Sequence, residues 1–157
     1  MTETADIGRP KSLAHVAIRV RDLDRAVEFY RDVVGLDVKR QGTTTAFLGR
    51  RTDTSHELAL FAMDPDAEGP DKTRIGMYHM AWEVDSFEAL QAIHDRILAS
   101  GVRIGGYSPA PNQANVMFFD PDGNENEALW EPTPEQLEAA QAAGGVPKLV
   151  DMEAELR

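Results

Sequence analysis

His15-Val-Ala-Ile-Arg-Val20 and His79-Met-Ala-Trp-Glu-Val84 carry one pattern, His-x-Ala-x-x-Val, and each leads through a short polar step into an amphipathic run. In the first stretch Val16, Ile18 and Val20 alternate with His15, Ala17 and Arg19, the period of a half-buried strand, which places His15 on the face opposite the branched residues. With Asp22 or Asp24 as N-cap, Ala26, Val27, Tyr30, Val33 and Val34 then recur at helical spacing, and Gly35 supplies the stop. Strand-like runs follow at Leu36–Arg40, Thr44–Gly49 and His56–Met63. The second stretch predicts the same order: a helix through Phe87, Leu90, Ile93 and Ile97 ending near Gly101, then strands at Val102–Tyr107, Ala114–Asp120 and Glu125–Glu131. Each half reads as strand, helix and three strands, so a structural module is repeated. The expected fold class is α+β, two βαβββ modules paired into an open barrel-like sheet, with a C-terminal helical tail.

The expected boundaries are an N-terminal extension over 1–11, a single domain over 12–132 and a tail over 133–157. Within the domain the modules span 12–63 and 76–132, joined by a linker over 64–75 that is rich in Pro, Gly and charge. Asp120-Pro-Asp-Gly-Asn124 is a tight-turn sequence, because Pro fixes φ while Gly and Asn tolerate positive φ. Thr133-Pro-Glu-Gln136 has the capping-box pattern with Pro at the first helical position, and opens an Ala/Glu-rich helix. That tail reads as peripheral, lying on the domain's own surface or on a partner subunit.

A length of 157 residues is a prior for one domain. With 16 Lys and Arg against 27 Asp and Glu, the formal charge of −11 repels phosphate backbones and anionic lipid, so nucleic acid and membrane are not expected partners. The absence of cysteine removes disulfides, Cys-ligated zinc, iron–sulfur clusters and thiolate catalysis, leaving His, Asp, Glu and backbone oxygens to hold any metal. No apolar run reaches the ~20 residues of a membrane span, and MTETADIGRPKS has no signal-peptide core, so a cytoplasmic protein is expected.

Two histidines at matching positions of a repeated strand would project to the same side of paired modules, where a cleft would form. A divalent ion held by both still needs an anionic oxygen, and the carboxylates on strands are Glu57, Glu83, Glu125, Glu127 and Glu131. His94, mid-helix among polar neighbours, reads as a surface residue. Trp82 and Trp130 fall opposite the ligand face and read as helix-packed core. Phe47, Phe61, Met77, Met117 and Phe119 either line an aromatic pocket or fill the interior. Arg50-Arg51 reads as a solvated turn.

The module order and the ending Asp120-Pro-Asp-Gly-Asn-Glu-Asn-Glu127 resemble the vicinal-oxygen-chelate superfamily over about Ser12 to Glu131. That superfamily includes glyoxalase I, bleomycin- and fosfomycin-resistance proteins, methylmalonyl-CoA epimerase and extradiol ring-cleaving dioxygenases. The resemblance implies metal ligands at His15, His79 and Glu127, a two-His, one-carboxylate set that suits Fe(II) with open positions for a vicinal diol and O2. Ser55-His-Glu-Leu-Ala-Leu-Phe61 resembles the strand on which extradiol enzymes place a histidine beside the metal, which implies an acid–base role for His56. Where those enzymes carry an active-site Tyr this chain has Met117, and where many carry a further His it has Tyr107, Ser108 and Asn112. Met117, Phe119, Tyr107 and Asn112 are therefore the implied substrate contacts, and 157 residues leave room for the catalytic domain without the usual companion domain.

Glu57 sits where glyoxalase I places a carboxylate ligand, so a set of His15, Glu57, His79 and Glu127 holding Ni, Zn or Mn for a lyase, isomerase or epimerase is the rival implication. Strict alternation puts His56 and Glu57 on opposite faces unless the strand opens on a bulge, and His56 is the preferred inward residue. A metal-free binder of small molecules, like the resistance proteins, is the third. The resemblance also implies a homodimer, since some members complete their barrels across chains.

Overall fold

The computed structural model describes residues 8–108 and 110–149; the remaining parts of the expected N-terminal extension and tail lie outside the described residues. Its elements follow in the order β1 Val16–Val20, α1 Leu23–Phe29, a π-helical turn Tyr30–Val34, β2 Asp37–Gln41, β3 Thr45–Gly49, β4 Leu58–Ala62, β5 Met80–Glu83, α2 Phe87–Ala99, β6 Ile104–Gly106, β7 Ala114–Phe119, β8 Glu125–Trp130 and α3 Pro134–Ala142. This is an α+β fold of two βαβββ modules. Each module makes a four-stranded sheet, ordered β1-β4-β3-β2 and β5-β8-β7-β6, so β1 and β5 are both sheet edges and the sheets do not close into a barrel.

In each sheet the first strand runs parallel to the last, and the other pairings are antiparallel. The two registers correspond: Val16 faces Leu58 in the first sheet, and Met80 faces Asn126 in the second. Alternation then sorts the strands. Ile18, Val20, Leu58 and Leu60 are buried on the side toward α1, while Ala17, Arg19 and Phe61 lie exposed on the other. Asp22 caps α1 by accepting from the Arg25 amide, and Ser86 caps α2 by accepting from the Ala89 amide.

The periodicity through Val34 reads as one helix, but the structure breaks it after Phe29. The amides of Gly35 and Leu36 both donate to the Tyr30 carbonyl, the first being the five-residue step of a π turn, and Gly35 ends it at φ +93°. This turn buries Tyr30, Val33 and Val34. The fully buried Tyr30 reaches beyond its own module, and its hydroxyl donates to Asp120 Oδ2 at 2.9 Å. Around that bond Phe29 meets Phe118 and Tyr30 meets Trp82 edge-on, and Arg96 Nε donates to the Val33 carbonyl. A single apolar cluster runs through both modules.

Trp130 is buried against Phe87, and Trp82 gives its indole N–H to Asn126, both on the helix-covered side as expected. His94 departs from expectation: it is buried rather than exposed, because Tyr107 OH lies 2.9 Å from its Nε2 and offers the partner that an interior imidazole needs. The capping box at Thr133 and Gln136 forms. α3 buries nothing, yet the chain beyond it returns to this chain's own core through Val146 and the buried Leu149.

Removing the Tyr30 hydroxyl leaves the turn bonds of Asp120 in place, so Tyr30→Phe should cost about 1–2 kcal/mol in urea denaturation. Asp120→Ala should cost clearly more, because it removes the turn bonds as well. Equal midpoints for the two variants would show that the turn does not depend on Asp120.

Candidate metal centre

The tight turn Asp120–Asn124 sets the second half-site. Asp120 Oδ1 accepts from the amides of Asp122 and Asn124, and its Oδ2 accepts from the Asn124 side chain. This turn starts β8 in the register that brings Glu125 and Glu127 to the side away from α2. His79, one residue before β5, shares that side, and its Nε2 lies 3.1 Å from Glu127 Oε2. The other carboxylate oxygen is occupied: Asn115 Nδ2 donates to Glu127 Oε1 at 2.6 Å, and the Ser108 amide donates to Asn115 Oδ1 at 2.7 Å. Asn115 and Glu127 are both buried. The relay fixes the amide orientation and leaves Oε2 aimed at the imidazole.

Two donor atoms about 2.1 Å from one ion and about 90° apart, as at adjacent corners of an octahedron, would be about 3 Å from each other. The His79–Glu127 separation fits such an edge. His79 Nδ1 is buried with no partner, so this imidazole is not explained by hydrogen bonds within the chain. Among the described residues, no group of three or more His, Asp or Glu converges where an ion could be held. His79 Nε2 and Glu127 Oε2 are thus one candidate pair of donors.

The first module carries the other candidates. His15, one residue before β1, is exposed, and its ring lies 4.5 Å from that of His56, centroid to centroid. His56 also meets Phe47 edge-on at 4.9 Å and places Nδ1 2.9 Å from Ser55 Oγ. Phe47 faces Ala59 across β3–β4, and so belongs to the same side as His15. His56 is therefore on the ligand-bearing side. Loss of hydration, and secondarily His15, hold its pKa below the usual 6.5.

Glu57 also starts on that side but turns to the strand end, where its Oε2 accepts from the amides of Arg50 and Arg51 at 2.7 and 2.9 Å. It can lie there because Gly49 has no Cβ; one would stand 3.0 Å from the Glu57 carboxylate. The Glu57 amide bonds the Leu48 carbonyl although Leu48 faces Leu58 in the ladder, and this one-residue offset lets His56 and Glu57 escape strict alternation. Glu57, His15, Met77 and His79 all border one open groove.

Of the substrate-contact residues implied by sequence, Met117 faces Glu127 and Phe119 faces Glu125 on the ligand side. The Tyr107 hydroxyl is hydrogen-bonded with His94 Nε2, and Asn112 is exposed in the loop before β7. Sequence reasoning missed Asn115. Its one signal was a polar residue at a strand position sharing a face with Met117 and Phe119.

The repeat and its register belong to a known class. The chain belongs to the Glyoxalase/Bleomycin resistance protein/Dioxygenase superfamily, whose family model matches residues 12–128. It is 27% identical over 113 residues to a catechol-2,3-dioxygenase of Bacillus subtilis (strain 168), covering 71% of this chain and 39% of that protein. It is 30% identical over 139 residues to a probable chloroplastic lactoylglutathione lyase of Arabidopsis thaliana, covering 81% of this chain and 38% of that one. The chain thus spans about two-fifths of the length of these relatives. A mitochondrial methylmalonyl-CoA epimerase of Mus musculus is 28% identical over 131 residues, covering 76% of this chain and 71% of the epimerase. In fold, the chain is similar to a glyoxylase/bleomycin resistance protein/dioxygenase domain from Frankia sp. EAN1pec, with a TM-score of 0.66, 24% identity and coverage of 79% and 100% of the two chains. The superfamily includes dioxygenases, lyases and epimerases, and its members bind divalent metals.

Asn115→Ala should weaken Mn(II) binding about 10–100-fold, followed by electron paramagnetic resonance, because it frees the Glu127 carboxylate to rotate. Unchanged affinity would remove Asn115 from the centre. In metal-free protein the His56 ring should titrate below 6.5 by NMR and move back toward it in His15→Ala. A depressed folded-state pKa means the unfolded chain binds this proton more readily. Its contribution to stability is therefore present above about pH 6.5 and lost as pH falls through the folded-state pKa.

Proposed function

We propose that the chain is an Fe(II)-dependent extradiol-type dioxygenase that opens a catechol-like vicinal diol with O2, using His15, His79 and Glu127 as ligands and His56 as the acid–base residue. The observation that carries this reading is the contrast between two carboxylates. Glu127 turns Oε2 to His79, whereas Glu57 is turned to the strand end with its Oε2 on two backbone amides, which favours two histidines and one carboxylate as the donor set. Such a set supplies a Lewis acid with positions open to a bidentate substrate and O2.

The chain's own residues then have defined tasks. Asn115 and the Ser108 amide hold Glu127 so that one oxygen stays free. With Nδ1–H donating to Ser55 Oγ, His56 Nε2 carries the lone pair that takes a proton from a substrate hydroxyl and later returns it. Its lowered pKa keeps that nitrogen unprotonated at neutral pH. Phe47 fixes the imidazole plane, and Met117 offers an apolar contact opposite Glu127.

The His15 ligand comes from a second copy of the chain in a homodimer. This assignment is supported by the unpaired edges of β1 and β5 and by the lack of a three-ligand cluster among the described residues. Mixing His15→Ala with Glu127→Ala should then restore activity to about a quarter of wild type, since half of randomly paired dimers carry one intact site of two. No recovery on mixing would place all three ligands in one chain.

Anaerobic reconstitution with Fe(II), followed by a catechol screen, should give yellow ring-opened product with oxygen uptake. His56→Ala should keep its metal and lose about 10²–10⁴ in turnover. A second reading, a lyase or isomerase using Ni, Zn or Mn, is favoured by the place of Glu57 beside His15, since the Val16 amide bonds the Glu57 carbonyl. Turnover of a hemithioacetal with Ni or Zn, and none of catechols with Fe(II), would establish that reading instead.

A further inference from the structure

Phe119 lies on the ligand-bearing side of the second sheet, faces Glu125 across the β7–β8 ladder and is only 6% exposed. Two cations stand over the ring. The Arg103 guanidinium carbon stands 3.3 Å from the ring centroid and Lys72 Nζ stands 4.6 Å from it. The ring occupies the space over Gly105, where a Cβ would come within 2.9 Å of Phe119 Cε2 and 3.3 Å of Glu125 Oε1. A residue without a side chain is thus required for the platform to exist.

The two cations differ in their pairing. Lys72 Nζ makes a 2.6 Å ion pair with the buried Glu125 carboxylate. Among the described residues Arg103 has no acidic partner, in a chain where 27 acidic residues outnumber 16 basic ones. It is exposed and presents a planar fork of donors that matches a carboxylate. Stacking on the ring removes side-chain freedom in advance, which lowers the entropic cost of binding.

We propose that Arg103, stacked on Phe119 and flanked by the Lys72–Glu125 pair, is a subsite for a carboxylate group of the substrate. Glu125 and Glu127 are two residues apart on one face, so the subsite lies about 7 Å along the strand from the candidate ligand carboxylate. That spacing selects a small organic acid whose reacting end lies at Glu127 and whose carboxylate reaches Arg103. The assignment of the reacting end rests on the proposed function; the anion subsite itself does not.

Two experiments separate the two ideas. In metal-free, full-length protein, benzoate should shift the NMR signals of Arg103 Nε and the Phe119 ring, whereas benzamide, its neutral counterpart of like shape, should not. Arg103→Met should weaken benzoate binding about 10-fold or more, and Arg103→Lys should recover part of it as a point charge without the fork. Benzoate and benzamide binding alike, or benzoate binding unchanged in Arg103→Met, would overturn the subsite. With Fe(II) bound, the ratio of kcat/KM for a carboxylate-bearing catechol to that for an uncharged catechol should fall about 10-fold or more in Arg103→Met. An unchanged ratio in an active enzyme would also overturn it. Absence of all turnover would count against the dioxygenase reading alone, because the benzoate titration is read without metal.

Discussion

The carboxylate of Asp120 joins the two modules and shapes the site at once. One of its oxygens takes the Tyr30 hydroxyl from the first module, and both draw in donors from the turn that follows. The Tyr30 phenol is held well above its usual pKa, first by burial and then by the neighbouring charge of Asp120, so it stays a donor. Because this turn determines where β8 begins, the bond that ties the modules together also fixes which carboxylates face His79. Arg21 reinforces the same corner, its Nε donating to Asp122 Oδ1 at 2.6 Å and its terminal nitrogen to the Asp122 carbonyl. Module packing and the placement of Glu127 are one structural event.

Much of this was legible in the sequence because it was periodic. Alternation in His15–Val20, the helical spacing of Leu90, Ile93 and Ile97, and the turn chemistry of Asp120–Asn124 each specify local structure through short-range geometry. What escaped depended on partners distant in the chain. Nothing near His94 announces that Tyr107 will meet it, and nothing near Asn115 announces that it will orient Glu127. The π turn at Tyr30 was hidden for a related reason: one extra residue in the turn leaves the apolar spacing nearly intact and changes only which carbonyl accepts.

Superposing the registers of the two sheets shows why the duplicated modules do different work. The counterpart of Glu127 in the first sheet is Ala59, and the counterpart of Met117 is Phe47. The first module therefore has no carboxylate at the position matching Glu127 and instead gives an apolar floor on which the His56 ring rests. Glu57 and Glu125 are counterparts as well, and each has one oxygen engaged, Glu57 Oε2 by the Arg50 and Arg51 amides and Glu125 Oε2 by Lys72. Among the described residues, Glu127 is the one of these three carboxylates that lies against a histidine nitrogen.

The acidity of the chain does not exclude an anion from the proposed subsite. A net charge of −11 repels an acidic ligand at long range, but over most of the surface that repulsion is screened within about 10 Å at 0.1 M salt. Immediately around the Phe119 ring the local balance is reversed, since Glu125 neutralises Lys72 and Arg103 has no acidic partner among the described residues. Short-range attraction at a preorganised guanidinium then outweighs a screened background. The residues proposed for selection by charge thus belong to the module that carries Glu127, while His56, the proposed acid–base residue, belongs to the module with Ala59 at the corresponding position.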